Sequence, residues 1–149
     1  MKPIKKRVSL LVLCFSISLA NAQYEIKPVK GYTPQIGIMV DMLEDSKNQI
    51  VDMVKDLNQE ETDYLFDEKA NSIGAIIMHI VATESYTGVE TLEGRNWTDE
   101  EGEFWRIAGG LGAESRDKLK GKPIKYYLDL WDQVRKETLE GLKGKDDAW

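Results

Sequence analysis

The stretch Asn71-Ser72-Ile73-Gly74-Ala75-Ile76-Ile77-Met78-His79-Ile80-Val81-Ala82-Thr83-Glu84 reads as a capped, strongly apolar helix, and what must cover such a helix decides the fold. Asn71-Ser72 supplies the cap, because a side-chain oxygen there can accept the free N–H groups of the first turn. Ile73, Ile76, Ile77, Ile80 and Val81 recur at helical spacing, and the pattern runs to about Leu92 before Gly94-Arg95-Asn96 ends it. Two polar residues interrupt the pattern. At about 100° per residue, His79 and Glu84 stand roughly 140° apart around the axis. Glu84 then points into the isoleucine stripe and His79 sits on its flank.

The flanking sequence supplies partners of the same kind. Thr33-Pro34 opens a helix, Thr as N-cap and Pro at the first helical position, where its missing N–H costs nothing. Ile36, Met39, Val40, Leu43, Ile50, Met53, Val54 and Leu57 draw one stripe along it, with Asp41, Glu44, Asp45 and Lys47 largely outside. Residues 58–70 are polar, and a short turn of helix or a loop is expected to tuck Tyr64, Leu65 and Phe66 against the bundle. Thr98 and Glu101 fit a capping box, and Gly109, Gly110 and Gly112 keep the helix it starts short. These glycines lack the spacing of a phosphate-cradling loop. A third long helix is expected from about Pro123 to Leu142, with Ile124, Tyr127, Leu128, Trp131 and Val134 on one face. No segment alternates with a period of two, so the expectation is all-α. Three long amphipathic helices leave a stripe uncovered where the common antiparallel bundle has four.

The N-terminus reads as a cleavable signal peptide over residues 1–22, leaving a helical domain over 23–149. Lys2, Lys5, Lys6 and Arg7 precede the apolar run Val8 to Leu19, and Ala20-Asn21-Ala22 is a small-x-small cleavage site. Twelve residues of helix reach roughly 18 Å, short of a ~30 Å hydrocarbon core. Cys14 is not a lipidation site, since the residue before it is Leu13. Cleavage after Ala22 implies a periplasmic or secreted protein with no cysteine and no membrane span. It would carry 16 Lys and Arg against 26 Asp and Glu, a net charge of −10. That balance argues against nucleic acid and disfavours adsorption to anionic membranes.

The candidate chemistry rests on His79, the only histidine, and Glu84. His79 reads either as a metal or catalytic residue or as a satisfied structural histidine. A carboxylate among isoleucines must be paired, hydrogen-bonded or protonated. Glu84 has Arg135, Lys125 and Arg106 as candidate partners. Ser72, Ser85 and Ser115 lie in no nucleophile context. The aromatic residues at helical spacing, such as Tyr127 and Trp131, read as core. Asn96-Trp97-Thr98 matches a glycosylation acceptor, a match that Thr98 as a helix cap already explains.

The run from Asn71 to Glu84 resembles the second helix of the DinB-like superfamily, in which a capped apolar helix carries a histidine followed five residues later by glutamate. The long helix before it is similar, as is Tyr126 to Leu142 with its Tyr-Tyr-Leu…Trp…Val-Arg…Thr-Leu pattern. The resemblance implies an up-down four-helix bundle, often dimeric, that binds zinc or nickel through three histidines. His79 matches the first; the other two form an H-x-x-x-H pair on the last long helix, and this sequence has no such pair. The expectation is therefore a chain truncated before its fourth helix. It would be an exported DinB-like protein, a divalent-metal-dependent hydrolase or transferase when complete, with His79 as metal ligand and Glu84 as general base or orienting partner. The alternative is a non-catalytic helical module that binds a partner or forms a homodimer.

Overall fold

The computed structural model describes residues 25–149. The expected signal peptide lies outside the described residues. Among them there are six helices and no strand: α1 (Pro34–Val54), α2 (Gln59–Asp63), α3 (Ile73–Leu92), α4 (Asp99–Gly110), α5 (Ala113–Lys118) and α6 (Ile124–Lys143). The all-α expectation is met, and among the described residues no helix is long and apolar enough to cross a membrane.

Helix starts follow local chemistry. The Ser72 hydroxyl accepts the Ala75 N–H, and the Thr98/Glu101 pair forms a reciprocal capping box. Asn58 and Glu61 form a second box at α2. α1 differs, because Thr33 makes no side-chain capping bond to the helix. A carboxylate from far along the chain takes that place: Asp147 Oδ1 accepts the N–H groups of Gln35 at 2.9 Å and Ile36 at 3.3 Å. α4 runs through Gly109 and Gly110 and stops at Leu111, whose φ of 35° is followed by Gly112 at 106°. Asn71 Oδ1 takes the Gly112 N–H and pins this turn to the start of α3.

The core forms where α6 lies along α3, with α4 packed on the same helix. Trp131 and Tyr127 of α6 are almost fully buried against Ile77, Met78, Val81 and Ala82 of α3. Burying one such tryptophan is worth on the order of 5 kcal/mol at ~25 cal/mol per Å². Gly74 is required here, since a Cβ would stand 2.8 Å from the Tyr127 ring. Burial pushes the Tyr127 phenol up to about 12, and its hydroxyl donates to the Leu119 carbonyl. A smaller cluster joins Ile36 and Val40 of α1 to Leu142 of α6, roofed by Val29 and Tyr32 of the lead-in.

Several sequence expectations fail, among them the placing of Met53 in the α1 stripe, since it is 72% exposed. Tyr64, Leu65 and Phe66 are not tucked in; Phe66 is 84% exposed. Lys47 is buried rather than outside the stripe, because its ammonium has a partner in Asp132 of α6. Ile76 is 43% exposed, because the face of α3 turned to the core is centred on Ile77, Met78, Val81 and Ala82.

Candidate functional site

α1 and α3 flank α6 without closing over it, and the space between them is a groove of about 610 Å³. Trp131, Arg135, Thr138 and Leu142 come from α6, Met39, Leu43 and Ile50 from α1, and Ile80 from α3. Much of the α3 side is threonine, yet it is apolar in effect. Thr83 Oγ1 donates to the His79 carbonyl and Thr91 Oγ1 to the Thr87 carbonyl, while on α6 Thr138 Oγ1 donates to Val134. Hydroxyls spent on their own helix are satisfied locally.

His79 lines this groove, and its ring is fixed from behind. Nδ1 lies 3.1 Å from the carbonyl oxygen of Ala108 on α4. A carbonyl oxygen only accepts, so Nδ1 carries the proton and Nε2 is the basic nitrogen of the neutral ring. An Nδ1–H bonded to a backbone carbonyl is the arrangement by which histidine ligands are commonly oriented. The last turn of α4 therefore orients the ring, a role the sequence reading considered for Glu84.

Glu84 also lines the groove but is committed elsewhere. Its oxygens accept Trp131 Nε1 at 2.9 Å, Arg135 Nε at 2.7 Å and Arg135 Nη2 at 3.0 Å. Burial pushes the carboxyl up, but the bonds from Arg135 and Trp131 outweigh it and hold it below the usual range. A carboxylate so held is a weak base. Of the three candidate partners, Arg135 is the one the fold selects. Arg135 continues across the groove floor to α1, where Nη1 donates to the Leu43 carbonyl at 2.6 Å and to Glu44 at 2.9 Å. One buried guanidinium thus ties three helices together. Lys47 adds a second tie from α1 to α6 through Asp132, with its ammonium 5.8 Å from the Trp131 ring centre.

The sequence reading missed Lys47 and Asp147. For Lys47 a signal existed: positions 36, 40, 43, 47, 50 and 54 form an unbroken 4-3-4-3-4 spacing in which 47 is the only charged member. For Asp147 there was none, since its partners lie more than a hundred residues away.

The groove thus brings His79 and Glu84 into one wall without a bond between them. It can accept an apolar body and present one basic imidazole nitrogen. Among the described residues no three His, Cys, Asp or Glu side chains are grouped so as to hold a metal ion. No protein-family model matches the chain, and no curated protein matches it either.

Proposed function

We propose that the chain is an exported DinB-like bundle protein that works through the groove between α1 and α3, and that the groove is a dimerisation site filled by a second copy. The observation that carries this is an apolar groove wall on α1 that continues onto an exposed apolar strip of the same helix. α1 forms one wall, and beside that wall Ile38 and Met42 are 38% and 50% exposed. An apolar groove beside an exposed apolar strip is self-complementary under a two-fold axis, since each copy can lay its strip over the other's groove. Covering both also removes the largest cost of an uncovered amphipathic helix. The DinB-like assignment rests on the sequence run from Asn71 to Glu84, with its histidine and the glutamate five residues later.

Light scattering of the chain from Gln23 onward tests this. A dimer is expected at high micromolar concentration, and Ile38→Asp/Met42→Asp should give a monomer with unchanged helical circular dichroism. A well-folded wild-type monomer under those conditions sinks the proposal.

The oriented imidazole favours a second reading, in which His79 ligates zinc or nickel through Nε2. A metal held there would supply an activated water or thiol for hydrolysis or group transfer. The sequence offers one histidine where the DinB-like set has three, so in this reading carboxylates or a second molecule would supply the other donors. Glu84, ion-paired and weakly basic, positions Trp131 and Arg135 in this reading and abstracts no proton. Titration calorimetry with zinc and nickel is expected to show weak uptake that His79→Ala abolishes. Uptake unchanged by that substitution removes His79 as a ligand.

A further inference from the structure

The two ends of the groove between α1 and α3 differ in what they offer. At one end Met39 and Leu43 pack with Leu92 and Leu142, and the exposed strip of Ile38 and Met42 runs beside them. His79 belongs to the other end, with Ile50 and Ile80, roughly 20 Å of helix away from Leu92. A second copy that lays its strip over the first end leaves the His79 end free.

The polar groups around His79 are already engaged. Glu84 and Arg135, the two charged groups that line the groove, are paired with each other. The Trp131 indole N–H donates to Glu84, and the Thr83 hydroxyl donates to the His79 carbonyl. What remains is Nε2 of His79, which has no protein partner among the described residues. Because the Ala108 carbonyl takes the Nδ1 proton, Nε2 of the neutral ring can only accept. Ser46 and Thr87 also line the groove, but a hydroxyl turns to donate or accept and imposes no such direction.

We propose that the His79 end of the groove binds a neutral apolar small molecule with one hydroxyl, a phenol or alcohol whose O–H donates to Nε2. Each part of that description follows from one part of the site. The walls of Ile50, Ile80 and Trp131 call for an apolar body, and the whole groove, about 610 Å³, has the size that small molecules fill. A charged ligand would leave water for a wall whose two charges already satisfy each other, which is costly. The fixed tautomer calls for a donor, since an ether or ester oxygen would turn its lone pairs toward those of Nε2. All of these groups belong to one copy, so the inference goes beyond dimerisation and stands whether or not a second copy binds.

Titration calorimetry with β-naphthol and its methyl ether tests this on the chain from Gln23, at about pH 8, where imidazoles are neutral. EDTA in the buffer keeps metal off the nitrogen. The naphthol should bind saturably and roughly tenfold more tightly than the ether, whose oxygen has no proton to give. His79→Leu should remove that preference by weakening the naphthol roughly tenfold, with the ether unchanged. Ile38→Asp/Met42→Asp, at the far end, should bind the naphthol like wild type even where light scattering shows it to be a monomer. No saturable binding of the naphthol, equal binding of the two probes, or a preference that survives His79→Leu would overturn the proposal. So would loss of binding in Ile38→Asp/Met42→Asp, which would move the site to the strip. The two-probe comparison is made on the wild-type chain, so it decides even if His79→Leu fails to fold.

Discussion

α3 and α1 both lie against α6, and they are held there by different forces. The α3 side is apolar and interlocked: Val81 and Ala82 have no exposed surface, and Gly74 lets the Tyr127 ring sit directly on the helix. The α1 side joins a smaller apolar cluster to a set of polar ties. Arg135 reaches the Leu43 carbonyl and Glu44, Lys47 reaches Asp132, Tyr32 donates to the Leu139 carbonyl, and Asp147 caps the helix start. Apolar contact works only when surfaces touch, so it closes space. A guanidinium can span a gap and hold two helices at a distance, and that keeps the groove between α1 and α3 open.

The sharpest way to break this contrast is Arg135→Ala. It leaves Glu84 buried beside Trp131 without its cation and cuts α1 from α6, and the cost should be about 3–5 kcal/mol in urea unfolding. Arg135→Met paired with Glu84→Leu should recover much of that loss, because no uncompensated charge remains. If the double variant is as unstable as the single one, the α1 side is not held by the ion pair. On the α3 side, Gly74→Ala should cost about 1–3 kcal/mol, because the methyl overpacks against Tyr127. A neutral effect would show that the α3–α6 interface is looser than its burial implies.

Acid should also tell the two sides apart. The Glu84 carboxyl is held below its usual range in the folded protein, so its ion pair stabilises fully above about pH 4.3. That contribution is lost as pH falls through the lowered folded value. Stability should therefore drop below about pH 4.3 in the wild type, and Glu84→Gln should flatten this arm of the curve. An arm unchanged by the substitution would assign the acid sensitivity to other carboxylates.

The sequence made the α3 side legible and the α1 side only half so. Local signals fixed the caps at Ser72 and Thr98, the stop near Gly94 and the burial of Tyr127 and Trp131, because those depend on neighbours within a few residues. The partnership of Glu84 with Arg135 could be named as one of three options, but choosing among them needs the register between α3 and α6. Lys47 was misplaced because a charged residue in an apolar stripe was read as an edge. The exposure of Tyr64 to Phe66 ran against the rule that apolar clusters turn inward. The rule fails there because the surrounding polar groups are satisfied by a clamp from residues 112–121 that no local pattern foretells. His79 stood out in the sequence as the single histidine, but its orientation by Ala108 depends on where α4 ends.

The smallest expected effect concerns how the two long helices begin. α3 is capped by its own neighbour Ser72, whereas α1 borrows Asp147 from beyond the end of α6. The nearby Thr33 hydroxyl and the bonds from the Gln35 and Ile36 N–H groups hold the Asp147 carboxyl below its usual range. Replacing Asp147 with Ala should therefore release those two amides and speed their hydrogen exchange by on the order of tenfold, while the amides of α3 keep their wild-type rates. Ser72→Ala is the mirror experiment, freeing the Ala75 amide and leaving Gln35 and Ile36 untouched. If Asp147→Ala instead loosened α3 as strongly as α1, the two sides of α6 would unfold as one unit. The groove would then be a rigid part of a single cooperative body, and the contrast between packed and tethered helices would describe the geometry but not the energetics. Exchange confined to α1 would mean that the wall of the groove can open without disturbing the core.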